Sequence, residues 1–166
     1  MSQPETSVRG PLADRIEQAG IELPAPFPPA GSYVNAVRAG DLVWTAGHIP
    51  IAADGSIVFG RLGESLSVEE GVQAARYAAG SVLASLQAEL GDLDLVQRVV
   101  RVYGVVNSTP DFVQHTQVID GASDVLIAVF GEQGRHARLA VGVASLPAGI
   151  ALEIEATVLV RPVVAS

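Results

Sequence analysis

The chain has 166 residues, 49% of them hydrophobic and 17% charged, with a formal net charge of −8, a length that suits one domain and a low charge fraction that points to an oligomer. All ten basic residues are arginines scattered from Arg9 to Arg161, so there is no basic stripe for a nucleic-acid backbone, and no lysine for a Schiff base or a phosphate loop. Cysteine is absent, which removes disulfides, thiolate nucleophiles, iron–sulfur clusters and cysteine-ligated zinc.

The opening MSQPETSVRG is polar, without the apolar stretch of a signal peptide, and no apolar run approaches the roughly 20 residues that span a bilayer. A cytoplasmic protein with no membrane association is expected. Leu12, Ile16 and Ala19 then share one face of a short helix over 11–21, with Gly20 available as its C-cap. Four prolines between Leu23 and Gly31 predict an extended arm along the surface.

Tyr33–Arg38 and Leu42–Ala46 are β-rich runs around Ala-Gly-Asp, which predicts a hairpin. A turn at 53–56 leads into a short strand at 57–59, and Gly60 and Gly63 read as turn residues rather than a phosphate cradle. Ser67-Val68-Glu69-Glu70 has the form of a capping box, and apolar residues recur at helical spacing from Val68 to Leu90, ahead of Gly91. The opposite face, with Glu70, Gln73, Gln87 and Glu89, should meet water.

Valine-rich Leu95–Val106 predicts a central strand. Thr109 and Pro110 read as the N-cap and first position of a second long helix reaching Gly131, with a weak point at Gly121. Two further strands, Ala137–Leu146 and Ile150–Val160, flank Pro147-Ala148-Gly149. The order is β-β-α-β-α-β-β, with both long helices on one face of a mixed sheet; burying the other face requires a partner surface.

Arg138, at the start of an apolar strand, carries a planar fork of donors suited to gripping a carboxylate, although an arginine at a strand start is more often there for a surface ion pair. Glu153 and Glu155 project from one strand face, where they could orient water or a proton, or form an ordinary solvated face. His48, His115 and His136 lie on separate elements, so no metal site is expected, and His136 reads as a surface residue. No cofactor is implied.

Taken together, AGSYVNAVRAGDLVWTAGHIP, the Ser67 helix, VVRVYGVV, the PDF helix, and HARLAVGVASLP followed by LEIEA resemble the RidA (YjgF) family from about Ala30 to Val160. The resemblance implies an α/β (α+β) chorismate-mutase-like fold over 31–161, preceded by a helix and arm at 1–30 and followed by a tail at 162–166. It further implies a homotrimer with ligand pockets between subunits, and hydrolysis of reactive imines and enamines such as 2-aminoacrylate to a 2-keto acid and ammonia. By position, Arg138 matches the arginine that holds the substrate carboxylate, Glu153 the glutamate that positions water or relays a proton, Tyr33 a pocket tyrosine and Gly47 a glycine whose backbone faces the ligand. Ala46, Thr116 and Ala140 stand where the family's deaminases often carry serine, asparagine and cysteine, which makes the site more apolar. The alternative is a non-catalytic trimer that binds a small carboxylate or keto acid.

Overall fold

The computed structural model describes residues 10–162; the polar N-terminal stretch before Gly10 and tail residues 163–166 lie outside them. After helix α1 (Pro11–Gln18) and the arm come hairpin strands β1 (Ala36–Ala39) and β2 (Leu42–Thr45), then α2 (Val68–Leu90), β3 (Val96–Asn107), α3 (His115–Phe130), β4 (Ala137–Val143) and β5 (Leu152–Val160). They form one five-stranded sheet in the order β1-β2-β5-β3-β4. Only β3 and β4 run parallel, because α3 carries the chain back to the same end of the sheet between them. This is the expected mixed α+β, chorismate-mutase-like architecture.

Helix α2 starts where the capping box places it: the Ser67 hydroxyl accepts from the Glu70 amide at 3.2 Å and the Glu70 carboxylate from the Ser67 amide at 2.8 Å. It ends at Gly91, in the left-handed conformation that glycine adopts without steric cost. Its Ala- and Leu-rich face joins α3 and alternate residues of the sheet in a single core, including Leu83, Leu86, Ile119 and Leu126. In β5, Leu152, Ile154, Ala156, Val158 and Val160 point into this core and Glu153 and Glu155 point away from it, the period-2 alternation of a strand.

Five expectations need correction. The first strand begins only at Ala36, and 57–59 contributes isolated bridges, Ile51 to Ile57 and Phe59 to Ile150, rather than a strand. Helix α3 starts at His115, not Pro110, because the Thr109 amide bonds to the Leu62 carbonyl and the Phe112 amide turns back to the Thr109 carbonyl. Gly121 does not interrupt α3; a Cβ there would collide with the Val72 backbone of α2, so the glycine permits a close approach of the two helices. Strand β4 ends at Val143, and Pro147–Gly149 forms a 3-10 turn.

Candidate functional site

The family-matched residues fall into two groups on different parts of the subunit. Tyr33, Gly47 and Glu153 line a cavity of about 530 Å³ together with His48, Phe27 and Phe59. The segment around His48 is stitched to β5 by reciprocal amide bonds between His48 and Ile154, at 2.8 and 3.0 Å. That bridge lays Gly47 against the Glu153 side chain, where a Cβ on Gly47 would sit 3.1 Å from Oε2. Burial alone raises the Glu153 pKa above its ordinary range, a shift that suits a carboxyl group to hold and release a proton.

Beside Glu153, the buried His48 ring is fully engaged. Its Nδ1 lies 2.7 Å from the Ala46 carbonyl and its Nε2 2.7 Å from Ser85 Oγ. A carbonyl only accepts, so Nδ1 carries the proton and Nε2 accepts from the serine hydroxyl. Burial lowers the His48 pKa, opposed in part by the Ala46 bond, which keeps the imidazole neutral. The proline-rich arm is a wall of this cavity, pinned by Asn35 Nδ2 donating to the Phe27 carbonyl at 2.6 Å and by the Ala30 amide donating to the Tyr33 hydroxyl at 3.2 Å.

Arg138, Thr116 and Ala140 form the second group, where edge strand β4 meets α3. Arg138 Nη1 donates to Asp120 Oδ1 at 2.7 Å and to Ser123 Oγ at 2.9 Å, and Nη2 donates to the Thr116 carbonyl at 3.3 Å. The Ser123 hydroxyl passes its own hydrogen to His136 Nε2 at 3.0 Å, since His136 Nδ1 donates to the Gly134 carbonyl at 2.6 Å. His136 is therefore a half-buried member of the Arg138 network rather than a surface residue. Burial lowers its pKa, the Gly134 bond partly restores it, and the Arg138 charge lowers it again.

Pairing register separates the two groups. Arg138 is level with Val102 and, through it, Ala156, both buried on the helix face of the sheet; Glu153 alternates out of that face. Arg138 and Glu153 thus project from opposite faces, on strands with β3 between them, and cannot meet on one small molecule within a single chain. Sequence reasoning missed Asp120, Ser123 and the cavity role of Phe27. Only the fold brings Asp120 to Arg138, and an apolar residue among prolines gives no sign of where the arm lies.

Among the described residues no helix is long and apolar enough to cross a membrane. Residues 13–153 match the model of the family described as "YjgF/chorismate mutase-like, putative endoribonuclease". Protein TCP17 of Trypanosoma cruzi is 47% identical over 150 residues, covering 90% of this chain and 94% of that protein. The crystal structure of Atu1372, a protein of unknown function from Agrobacterium tumefaciens, is similar at 39% identity and a TM-score of 0.82, over 90% of this chain and 93% of that one. A structure from Shewanella oneidensis, named as a "putative endoribonuclease", is 30% identical with a TM-score of 0.86, over 90% of this chain and 99% of that one. With the five-stranded sheet and the ARLAV and LEIEA strands in place, the chain belongs to the YjgF/chorismate mutase-like family.

Proposed function

We propose that the chain is the protomer of a homotrimer whose sites are composite, Arg138 of one copy completing the cavity around Glu153, Gly47 and Tyr33 of the next. The observation that carries this reading is the placement of Arg138 and Glu153 on opposite sheet faces, which gives a small carboxylate no way to reach both in one subunit. The sheet face away from the helices supplies a surface for the partner: Val37, Trp44 and Leu139 lie exposed on it, more apolar area than a solvated face carries without a neighbour.

The chemistry is hydrolytic deamination of an imine, or of the enamine that tautomerises to it. Arg138 holds the carboxylate, water adds to the carbon of the C=N bond, and the ionised Glu153 carboxylate, made a stronger base by burial, takes the water proton and returns it to nitrogen. Collapse of the carbinolamine releases ammonia and the 2-keto acid. Phe27, Phe59, Ile49 and Ile51 in the cavity wall favour a substrate with an apolar side chain larger than that of 2-aminoacrylate. Ribonuclease activity, which the family's name suggests, finds little support in an acidic chain whose arginines are dispersed.

The test supplies enamines from an amino-acid dehydratase or oxidase and follows keto acid and ammonia release. Wild type should accelerate hydrolysis, and the reading fails if Arg138→Ala is as active. A second reading, a trimer that binds a small carboxylate without turnover, is favoured by the apolar Ala46 and Ala140; thermal stabilisation by keto acids without product release would select it.

A further inference from the structure

A second cavity, of about 250 Å³, opens beyond the end of β4 and is lined by Arg61, Ser108, Thr109, His115 and Gly142 among others. It lies four residues along β4 from Arg138, about 13 Å at the rise of a strand. Segment 61–63 is stitched to 107–109 by amide bonds from Leu62 to the Asn107 carbonyl at 2.9 Å and from Thr109 to the Leu62 carbonyl at 3.0 Å. Buried Asn107 ties the same loop down, its Nδ2 donating to the carbonyls of Gly60 and Ile150. Gly63, at φ +85°, lets the Thr109 hydroxyl approach where a Cβ would exclude it.

Ser108, only 5% exposed, has its hydroxyl 3.1 Å from His115 Nε2, and the His115 ring is held edge-on to Phe112, with the centroids 5.2 Å apart. Any side chain at Gly142 would collide with both Ser108 Oγ and His115 Nε2. Arg61 contributes the cavity's one charged lining group. Its Nε is buried and has no hydrogen-bond partner among the described residues, and among those residues its one ion-pair partner is Glu64, distant at 4.0 Å and largely exposed. A buried guanidinium donor without an acceptor is destabilising, and Arg61, one third exposed along its side chain, lines the cavity together with these hydroxyls and the imidazole. In a chain of net charge −8, a lining with a cation and no carboxylate selects for negative charge.

We infer that this cavity is a second ligand site, which takes the oxyanion of a small metabolite, carboxylate or phosphoryl, on the Arg61 guanidinium with the Ser108 and Thr109 hydroxyls. His115 Nε2–H can donate to Ser108 Oγ, which turns the serine hydrogen toward the anion. The volume admits a small metabolite and excludes a drug-sized one. The site is independent of the Arg138 and Glu153 groups.

The full chain, labelled with nitrogen-15 and with its arginine side-chain and histidine resonances assigned, is titrated with inorganic phosphate and separately with acetate. Saturable shifts of Arg61 Nε–H and His115 are expected, with affinity weakened at least about tenfold in Arg61→Gln and in Ser108→Ala, as loss of a charge-assisted bond requires. A response to phosphate alone identifies a phosphoryl ligand, and a response to acetate alone a carboxylate. The inference is overturned if neither anion moves these resonances, if Arg138 responds in their place, or if both folded variants titrate like wild type. Because the wild-type resonances report the site directly, a variant that fails to fold leaves the result readable.

Discussion

Complementation between two inactive variants tests the composite site most directly. Arg138→Ala removes the proposed carboxylate anchor and Glu153→Gln the proposed proton carrier, and each alone should lower kcat/KM by at least about a hundredfold, the usual scale for a general acid–base group or a charged anchor. In a closed ring every site takes Arg138 from one copy and Glu153 from the next. When the two variants are mixed equally and reassembled at random, each site has about a one-half chance of an intact Arg138 and about a one-half chance of an intact Glu153. About one quarter of the wild-type activity should therefore return, whatever the number of subunits in the ring. The assay is keto acid release from an enamine after coexpression or joint refolding, against each variant treated alone. The opposite-face placement of the two side chains makes a single-chain site impossible, so the absence of any recovery in verified mixed oligomers would refute the composite arrangement.

Gly47→Ala should lower kcat with little loss of stability, because its methyl would press on Glu153 Oε2 at 3.1 Å; equal kcat in the two proteins would show that the Gly47 contact has no part in turnover. Gly121→Ala should destabilise, since the obstacle is the Val72 backbone rather than a flexible tip. Overpacking costs about 1–3 kcal/mol and outweighs the roughly 1 kcal/mol gained in helix propensity. The melting temperature should fall by a few degrees, and a rise would count against close helix packing there. Acidification should also destabilise: His48 and His136 are held below the ordinary value of 6.5, so the unfolded chain takes up protons near pH 6.5 while the native one does not. Their contribution is complete above that pH and is lost as pH falls through the lowered native values. Glu153, raised by burial above its ordinary 4.5, acts in the opposite sense, gaining stability as pH falls toward 4.5, so Glu153→Gln should steepen the decline in melting temperature as pH falls toward that value, and an unchanged slope would contradict the raised pKa.

The parts of the fold legible in sequence are those fixed locally. The capping box at Ser67, the helical period to Leu90 and the Glu153/Glu155 alternation each arise within one element, and the structure follows them. Thr109-Pro110 misleads because a proline after a polar residue opens a turn as readily as a helix, and the deciding bond runs to Leu62, far away in sequence. The division of the site into two groups was equally hidden. Each strand's alternation is readable, but whether Arg138 shares a face with Glu153 depends on the register of both against β3. The environment of Arg138, with Asp120, Ser123 and His136, comes from α3 and the turn after it, which no local pattern pairs with β4.

That environment bears on whether Arg138 is an ion pair or an anchor, and donor arithmetic allows it to be both. A guanidinium has five N–H groups. Asp120 and Ser123 occupy the two on Nη1, and the Thr116 carbonyl takes one on Nη2, which leaves Nε–H and one Nη2–H for a ligand carboxylate. Asp120 is 54% exposed and the arginine side chain 18%, so the pair itself stabilises by no more than about 1 kcal/mol, while three contacts fix the plane of the fork. Asp120 thus positions Arg138 rather than occupying it. If so, Asp120→Ala should raise KM for a carboxylate substrate by up to about fivefold, the equivalent of that 1 kcal/mol, and leave kcat nearly unchanged. Asp120→Asn, which keeps an accepting oxygen, should recover most of the loss. A fall in KM in the alanine variant would mean that Asp120 competes with the substrate, and the positioning role would be wrong.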